Sequence, residues 1–465
     1  AYWDLRTKIP KKAVEQRSEV VGFLAEKIHQ LETSNQMKEY IDTLKESTKD
    51  EIIYQAVLEC EENYYRSSKI PKNEYKEYVM LQSKSEAVWQ EARDTADFSL
   101  FQPYLEKLVE YNKRFANYWG YEENIYDALL HNYEPGVTTK ILDELFPKIK
   151  HALTELLSKI ENTKQIPNTS LLHVHFPKEK QKAFATKVIN DFGYDFDAGR
   201  LDDTIHPFEI TLNQRDVRIT TRYDEYDFRM AIFGIIHEAG HALYEQNISE
   251  KLARTPLASG TSMGIHESQS LLWENIVSRS KPYWQHYFNE LREYAPNDFD
   301  DLNIDSFYNA INEVKASFIR IEADELTYPL HIMIRYELEK DLINGDIKVK
   351  ELPYLWNEKM NDYLGIKPPT DREGVLQDIH WAGGDFGYFP SYALGFMYAA
   401  QFNNTLKNKM DVNELISSGN FTPIRQWLTD NIHQYGKMKK PLEIIKDVTQ
   451  ENLNPDYLIQ YLTEK

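Results

Sequence analysis

Apolar residues in the first part of the chain recur at three- and four-residue steps within mixed-charge segments such as "EVVGFLAEKIHQLETSNQMKEYIDTL" (residues 19–44). That spacing lays an apolar stripe along one face of an amphipathic helix. Helix breakers are scarce: the first 119 residues hold one glycine, Gly22, and three prolines, Pro10, Pro71 and Pro103. The pattern predicts a succession of long helices. One region has a different period. "PFEITLNQRDVRITTRY" (207–223) alternates apolar and polar residues on both sides of "NQRD", which predicts a β-hairpin with a polar turn. It leads into "MAIFGIIHEAGHALYEQ" (230–246), which is apolar and helix-favouring. The edge of such a hairpin can hold an extended peptide through main-chain hydrogen bonds. Further on, "GGDFGYFPSY" (383–392) is rich in glycine and aromatic residues and reads as a loop that carries tyrosines toward a site. Charged runs such as "KNKMD" and "KMKKP" read as solvated helix ends and loops. No low-complexity linker, heptad array or internal repeat divides the chain.

Composition narrows the function. With 465 residues, 42% of them hydrophobic, the chain can bury a large core. Fifty-four basic side chains against 74 acidic ones leave a net charge of -20. Such a surface repels phosphate backbones and anionic lipid, so neither a nucleic-acid nor a membrane partner is expected. No apolar run approaches the roughly 20 residues that span a bilayer. The single cysteine, Cys60, cannot form an intrachain disulfide and reads as a small buried apolar residue, which suits a cytoplasmic location. The opening "AYWDLRTKIPKK" lacks the pattern of a signal peptide. It also lacks an initiator Met, so a truncated N terminus is expected.

The chemistry centres on "HEAGH" (237–241). On a helix His237 and His241 lie one turn apart on one face, so both imidazoles can reach one Zn2+ at about 2.0 to 2.1 Å. Glu238 lies roughly 100° around that helix and is free to take a proton from the attacking water. A catalytic zinc needs a third protein ligand and an open position. Glu245 lies about 12 Å along the helix axis from His237 and is too far. A metzincin would need Gly at 244 and His at 247, where this chain has Tyr244 and Asn247. The next candidate segment is "GIHESQSLLWEN" (264–275), a second predicted helix. Glu267 is the expected third ligand, with His266 its rival. Ser270 and Glu274 share the face of Glu267, and neither is assigned a role.

The chain resembles the M32 metallocarboxypeptidases, a gluzincin family, in "HPF" (206–208), "DVRIT" (216–220), "HEAGH" (237–241), "HESQ" (266–269), "IRIEAD" (319–324) and "GVLQDIHW" (374–381). "YWDLRTKIP" and "YEPG" are similar to stretches upstream in that family, so the resemblance covers nearly the whole chain. It implies a single peptidase domain over 1–465. Members carry another helical segment before the "WD" stretch, which again points to a truncated N terminus. The implied fold is mainly α and two-lobed around a deep active-site groove, with a small β-sheet beside the HExxH helix. A cytoplasmic homodimer is implied too. The implied activity is removal of C-terminal residues from peptides, with broad specificity and poor action on proline. Zinc is the expected ion, with cobalt able to substitute.

Further roles follow from that resemblance and from the reaction. Water attack on a peptide carbonyl builds an oxyanion, so hydrogen-bond donors should converge beside the metal. By similarity to related gluzincins, His380 and Tyr392 are the expected donors, with Tyr388 in reserve. A carboxypeptidase must also bind the free terminal carboxylate of its substrate, and arginine offers a bidentate fork for it. Arg218 and Arg320 are the candidates. His206 is a weaker candidate for closing the groove or bonding substrate. Two other readings stand beside this one: a helical zinc oligoendopeptidase or dipeptidyl carboxypeptidase, and a non-enzymatic helical scaffold in which HEAGH is packed core.

Overall fold

A computed structural model describes residues 1–163, 165–295, 299 and 302–465. Among them the chain is mainly helical, with one three-stranded sheet. The helices that carry the argument are Val14–Glu32 (α1), Glu51–Lys69 (α2), Lys72–Thr95 (α3), Phe98–Trp119 (α4), Phe228–Gln246 (α5), Met263–Leu271 (α6), Tyr328–Asn344 (α7) and Pro390–Lys407 (α8). The long periodic segment near the N terminus is two helices. Thr33 closes the first and Ser34 caps the second, its hydroxyl accepting from Met37 N at 3.1 Å.

The apolar core is continuous from Tyr78 to Leu462. Helix α1 stands outside it, and α2 meets it only at its edge, through Ile52 and Ala56. α1 has no buried residue at all and leaves Val20, Phe23, Leu24, Ile28 and Leu31 exposed. Between these N-terminal helices and the body lies a cavity of about 570 Å³, reaching from Ile28 and Arg66 to Met263 and His266. Lys437 and Lys440 cross to it and pair with Glu59 and Glu62 of α2. The "KMKKP" run is thus partly an inter-element clamp rather than only a solvated loop. Charge alone could not reveal that, because the partners are more than 370 residues away.

The expected hairpin is present as Glu209–Asn213 (β2) and Asp216–Thr221 (β3), paired antiparallel. A preceding strand, Gly199–Asp203 (β1), pairs parallel to β3, giving the order β1-β3-β2. Parallel pairing leaves no turn signal, so β1 was not legible from period and turn residues. Val217 and Ile219 of β3 are wholly buried against α5, while Arg218 between them points the other way. The "YWDLRTKIP" stretch packs on the opposite side, Tyr2 and Trp3 edge-on to Phe208.

α5 is apolar nearly all round, the signature of a helix at the centre of a fold. Asp227 caps its start. α6 is capped by Ser262 and lies between α5 and α8. Glu134 ties these elements together. Its buried carboxylate accepts from Ser262 Oγ at 2.9 Å, Gly264 N at 2.8 Å and Tyr398 OH at 3.0 Å, the last from α8.

Burial pushes the Glu134 carboxyl up from 4.5 to about 7, against the pull of those three donors. Between these values the folded chain holds a proton that the unfolded chain has released. Stability therefore falls as pH rises through that window and is flat above it. A rise of that size corresponds to about 3 kcal/mol. Glutamine keeps an acceptor for Gly264 N, and the two hydroxyls can turn to accept from its amide. Glu134→Gln should therefore lose less thermal midpoint between pH 5 and pH 8 than the parent chain. Parallel Tm-against-pH curves would remove Glu134 from the linkage.

Candidate active site

His237 Nε2 and His241 Nε2 on α5 lie 3.7 and 3.5 Å from Glu267 Oε2 on α6. Ligand atoms of all three residues fall within 4.8 Å of one another, a group able to hold a metal ion. Tetrahedral zinc with bonds of 2.0 to 2.1 Å would set its ligand atoms about 3.3 Å apart. The two imidazole-to-carboxylate spacings are a few tenths wider and the third lies within 4.8 Å, so the donor set fits such an ion once the side chains draw together.

Two glycines permit this convergence. A Cβ on Gly240, inside HEAGH, would stand 2.6 Å from Ser270 Cα of α6. A Cβ on Gly395 of α8 would stand 2.6 Å from Glu267 Cβ and 2.7 Å from its Cγ. α6 is therefore gripped between two helices at positions where neither neighbour has a side chain. Directly after α6 the chain winds as a π-helix, Leu272–Ser278, which carries Glu274.

The distal ring nitrogens of the two histidines are held differently. His237 Nδ1 donates to Glu274 Oε2 at 2.9 Å, and Arg279 Nη2 donates to Glu274 Oε1 at 3.0 Å. His241 Nδ1 lies 2.7 Å from His266 Nδ1, and His266 Nε2 lies 3.0 Å from Glu245 Oε1. If His241 keeps Nε2 bare for a metal, its proton sits on Nδ1. His266 then accepts at Nδ1 and donates from Nε2 to Glu245. Both ring nitrogens of His266 are thus engaged, Nδ1 with the distal nitrogen of His241 and Nε2 with Glu245, so His266 stands behind His241 and outside the group formed by His237, His241 and Glu267. Glu245, too far along the helix to ligate, ends this chain of contacts. Ser270 Oγ donates to the Glu267 carbonyl at 2.8 Å.

The electrostatics ask for a cation. Burial lowers the pKa of His237, but Glu267 and Glu274 outweigh it and hold the imidazole up to about 10. His241 goes the other way, down to about 4, through burial and the neighbouring His266 and His237. The pocket favours one positive charge among its carboxylates, and a divalent ion meets that demand. Glu238 beside it is 8% exposed. Burial pushes its carboxyl up to about 7, opposed by His237. It has no hydrogen bond to any described protein group.

A second group lies nearby. His380 Nε2 is 3.0 Å from Tyr392 OH, and the rings of His380 and Tyr388 are 5.4 Å apart. Burial, then Arg320, holds His380 down to about 3, so it is a neutral imidazole. Its Nδ1 has no hydrogen-bond partner among the described residues. Arg320 is buried, with Nε donating to Asp378 Oδ1 at 2.9 Å and Nη1 to Tyr328 OH at 3.0 Å. Its guanidinium lies 5.0 Å from the Tyr392 ring centre. Arg335 donates to the same Asp378 at 2.6 Å. Two guanidiniums share one carboxylate, which leaves a surplus positive charge. Arg335 and Asp378 were not singled out in the sequence. Asp378 was visible inside "QDIHW", whereas Arg335 sits in an unmarked helix.

Arg218 is on the sheet, held bidentate by Asp216 at 2.6 and 2.8 Å. That pair is neutral, and no contact joins it to His380 or the tyrosines. His206 is exposed in the bend between β1 and β2 and bonds to none of the site residues. Glu274 and Ser270 carried a signal in the sequence, their shared helical face with Glu267. His266 and Glu245 were weighed in the sequence only as ligands, and nothing there marked their contact with each other or with His241.

The family model of the carboxypeptidase Taq (M32) metallopeptidases matches residues 2–465. Carboxypeptidase 1 of Bacillus subtilis is 55% identical over 467 residues, spanning 100% of this chain and 93% of that protein. Thermostable carboxypeptidase 1 of Thermus thermophilus is 40% identical over 480 residues, spanning 100% of this chain and 94% of that one. Among solved structures, the M32 carboxypeptidase from Deinococcus radiodurans R1 superposes with a TM-score of 0.97 at 34% identity, covering 99% of this chain and 93% of that chain.

Removing the carboxylate in Glu267→Ala should cause a large loss of affinity for divalent metal, read by competition with a chromogenic chelator. Gly395→Ala pushes a methyl against Glu267 and should weaken metal binding about 10- to 100-fold, as a disturbed supporting contact does. It should also cost about 1–3 kcal/mol of stability through overpacking. Parental metal affinity in the alanine variant at 395 would show that α6 is placed by something other than this contact.

Proposed function

We propose a division of labour for a chain that belongs to the carboxypeptidase Taq (M32) metallopeptidase family: His237, His241 and Glu267 hold zinc, and the residues around them bind and cleave the C-terminal end of a peptide. The chain is a metallocarboxypeptidase. The convergence of two imidazoles and one carboxylate within 4.8 Å, next to an unbonded Glu238, carries the reading. Zinc in a His2Glu shell, or cobalt in its place, would polarise water and the scissile carbonyl. Glu238 takes the proton of the attacking water on its carboxylate and passes it to the leaving amine.

His380 and Tyr392 donate to the carbonyl oxygen as it gains charge, with Tyr388 beside them. His380 suits this task because Arg320 and burial keep it neutral, so its N–H donates without giving up the proton. Arg320 anchors the terminal carboxylate of the substrate. Support comes from the unbalanced charge of Arg320 and Arg335 against Asp378 and from the nearness of Tyr392. Arg218 is the weaker candidate, since Asp216 already neutralises it. His206, exposed at the rim of the sheet, is left a minor part in closing the groove.

The substrates are peptides with a free C terminus. Broad side-chain tolerance, as the family resemblance implies, is part of the same reading. The 1–465 span acts as one peptidase domain, and a homodimer is the expected assembly, a second copy being one way to cover the apolar residues of α1. No helix among the described residues is long and apolar enough to cross a membrane. The lone Cys60, half-buried with its thiol pushed up by burial, fits a cytoplasmic location.

Glu238→Gln should keep its metal and lose about 10²- to 10⁴-fold in kcat, the usual cost of a missing general base. Near-parental turnover would take Glu238 out of the mechanism. Amidating the substrate C terminus removes the charge that Arg320 is proposed to meet while leaving the scissile bond intact. Amidated peptides should lose most of their kcat/KM, and Arg320→Ala should show a similar loss on free-acid peptides. The two losses should not add, because they remove one interaction. Equal cleavage of amidated and free-acid peptides at internal bonds would favour an endopeptidase.

A further inference from the structure

Glu339 on α7 is fully buried, and no cation pairs with its carboxylate among the described residues. Its Oε1 accepts from Trp381 Nε1 at 2.7 Å. Its Oε2 accepts from Tyr126 OH at 2.6 Å and from Gly387 N at 3.0 Å. Trp381 directly follows His380, and Gly387 directly precedes Tyr388. One carboxylate therefore holds both ends of the turn that separates these two side chains.

The turn itself is tightly constrained. Asp385 N donates to the His380 carbonyl at 2.9 Å. Gly387 has φ +92°, and a Cβ there would meet the Leu129 and Leu130 backbone at 2.7 to 2.9 Å. A side chain is excluded on both counts. On the other side, Tyr78 OH and Gln82 Nε2 of α3 donate to the carbonyls of Gly384 and Gly383 at 3.2 and 2.5 Å. These bonds fix the middle of the turn, and Glu339 fixes its ends.

The chemistry of the two ends requires an acid. An indole N–H and a backbone N–H can only donate. They approach different oxygens of Glu339, so an acceptor is needed at both. A glutamine would set its NH2 against one N–H or the other. Burying a carboxylate without a cation is costly, and burial pushes this carboxyl up to about 7 despite three donors. A mere filler of the core would not need that charge.

We infer that Glu339 is a positioning residue for the peptidase reaction: by accepting from Trp381 Nε1 and Gly387 N at once, it fixes His380 and Tyr388 relative to each other, beside the reacting carbonyl. The inference rests on the proposed roles of His380 and Tyr388. Glu339 touches neither substrate nor metal, and acts through the turn.

The test compares Glu339→Gln with Tyr126→Phe, which removes a hydroxyl but leaves both ends of the turn held. Steady-state kinetics on a free-acid tripeptide are read together with metal content and thermal midpoint. Glu339→Gln should keep its metal and lose about 10- to 100-fold in kcat, the scale for a small misplacement of catalytic groups. KM should change little, since the donors act in the transition state. Tyr126→Phe should stay within about 3-fold of the parent, because both obligate donors remain paired. Combining Glu339→Gln with His380→Ala should cost little beyond His380→Ala alone, because the two share one effect. Should Glu339→Gln fail to fold, Trp381→Phe releases one end and should show the same kcat loss and the same non-additivity. Parental kcat, a loss confined to KM, or full additivity with His380→Ala would overturn the inference. A parent enzyme inactive on free-acid peptides would instead sink the functional reading.

Discussion

The centre depends on one close approach, that of α6 to α5 and α8. Glu267 reaches Nε2 of His237 and His241 only because the helix that carries it lies almost backbone to backbone against its neighbours. Gly240 and Gly395 leave the space for this. A helix pair normally keeps its axes about 8–10 Å apart through its side chains, and glycine lets that distance shrink. Ser262 and Glu134 then fix the start of α6, and the π-helical turn after it brings Glu274 to His237. The rest of the site is arranged around the position this sets for Glu267.

Charge divides the site into two ends. Around the histidines, Glu238, Glu267 and Glu274 exceed the cations available, and Glu209 on the edge strand adds to the negative field. Around Asp378, two guanidiniums exceed one carboxylate. His380 and Tyr392 contact each other between these regions in the network, and Arg320 lies against the Tyr392 ring. On the proposed reading, one end would hold a metal cation and the other the terminal carboxylate of the substrate. Such a polarity would give a peptide with a free carboxylate one preferred direction across the site, a source of exopeptidase selectivity that needs no particular side-chain pocket.

The support of the donor turn follows the same logic as the support of the metal ligands. His237 rests on Glu274, His241 on His266 and Glu245, and the turn after His380 on Glu339. In each case a carboxylate accepts from the group it supports: Glu245 and Glu339 are buried, and the half-buried Glu274 is also bound by Arg279. Neutral acceptors would leave donors unpaired or set them against other donors, so the fold keeps several acids out of water near its functional groups.

Local rules reached a good part of this. Period identified the helices and the hairpin, the one-turn histidine spacing paired His237 with His241, and axial distance removed Glu245 as a ligand. Those features depend on neighbours within a turn or two, where spacing in the chain is spacing in space. The shared face of Glu267 and Glu274 was visible for the same reason. Only the tertiary structure groups Glu267, and not His266, with His237 and His241, because their difference lies in which partner each ring or carboxylate meets across a helix interface. It alone showed β1, the clamp of Lys437 and Lys440 on α2, and the sharing of Asp378 by Arg320 and Arg335. Glu339 is the clearest case. As a glutamate in an ordinary helical segment it carries no mark in the sequence, and its character comes from three donors that lie 42 to 213 residues away along the chain and meet only in the folded interior.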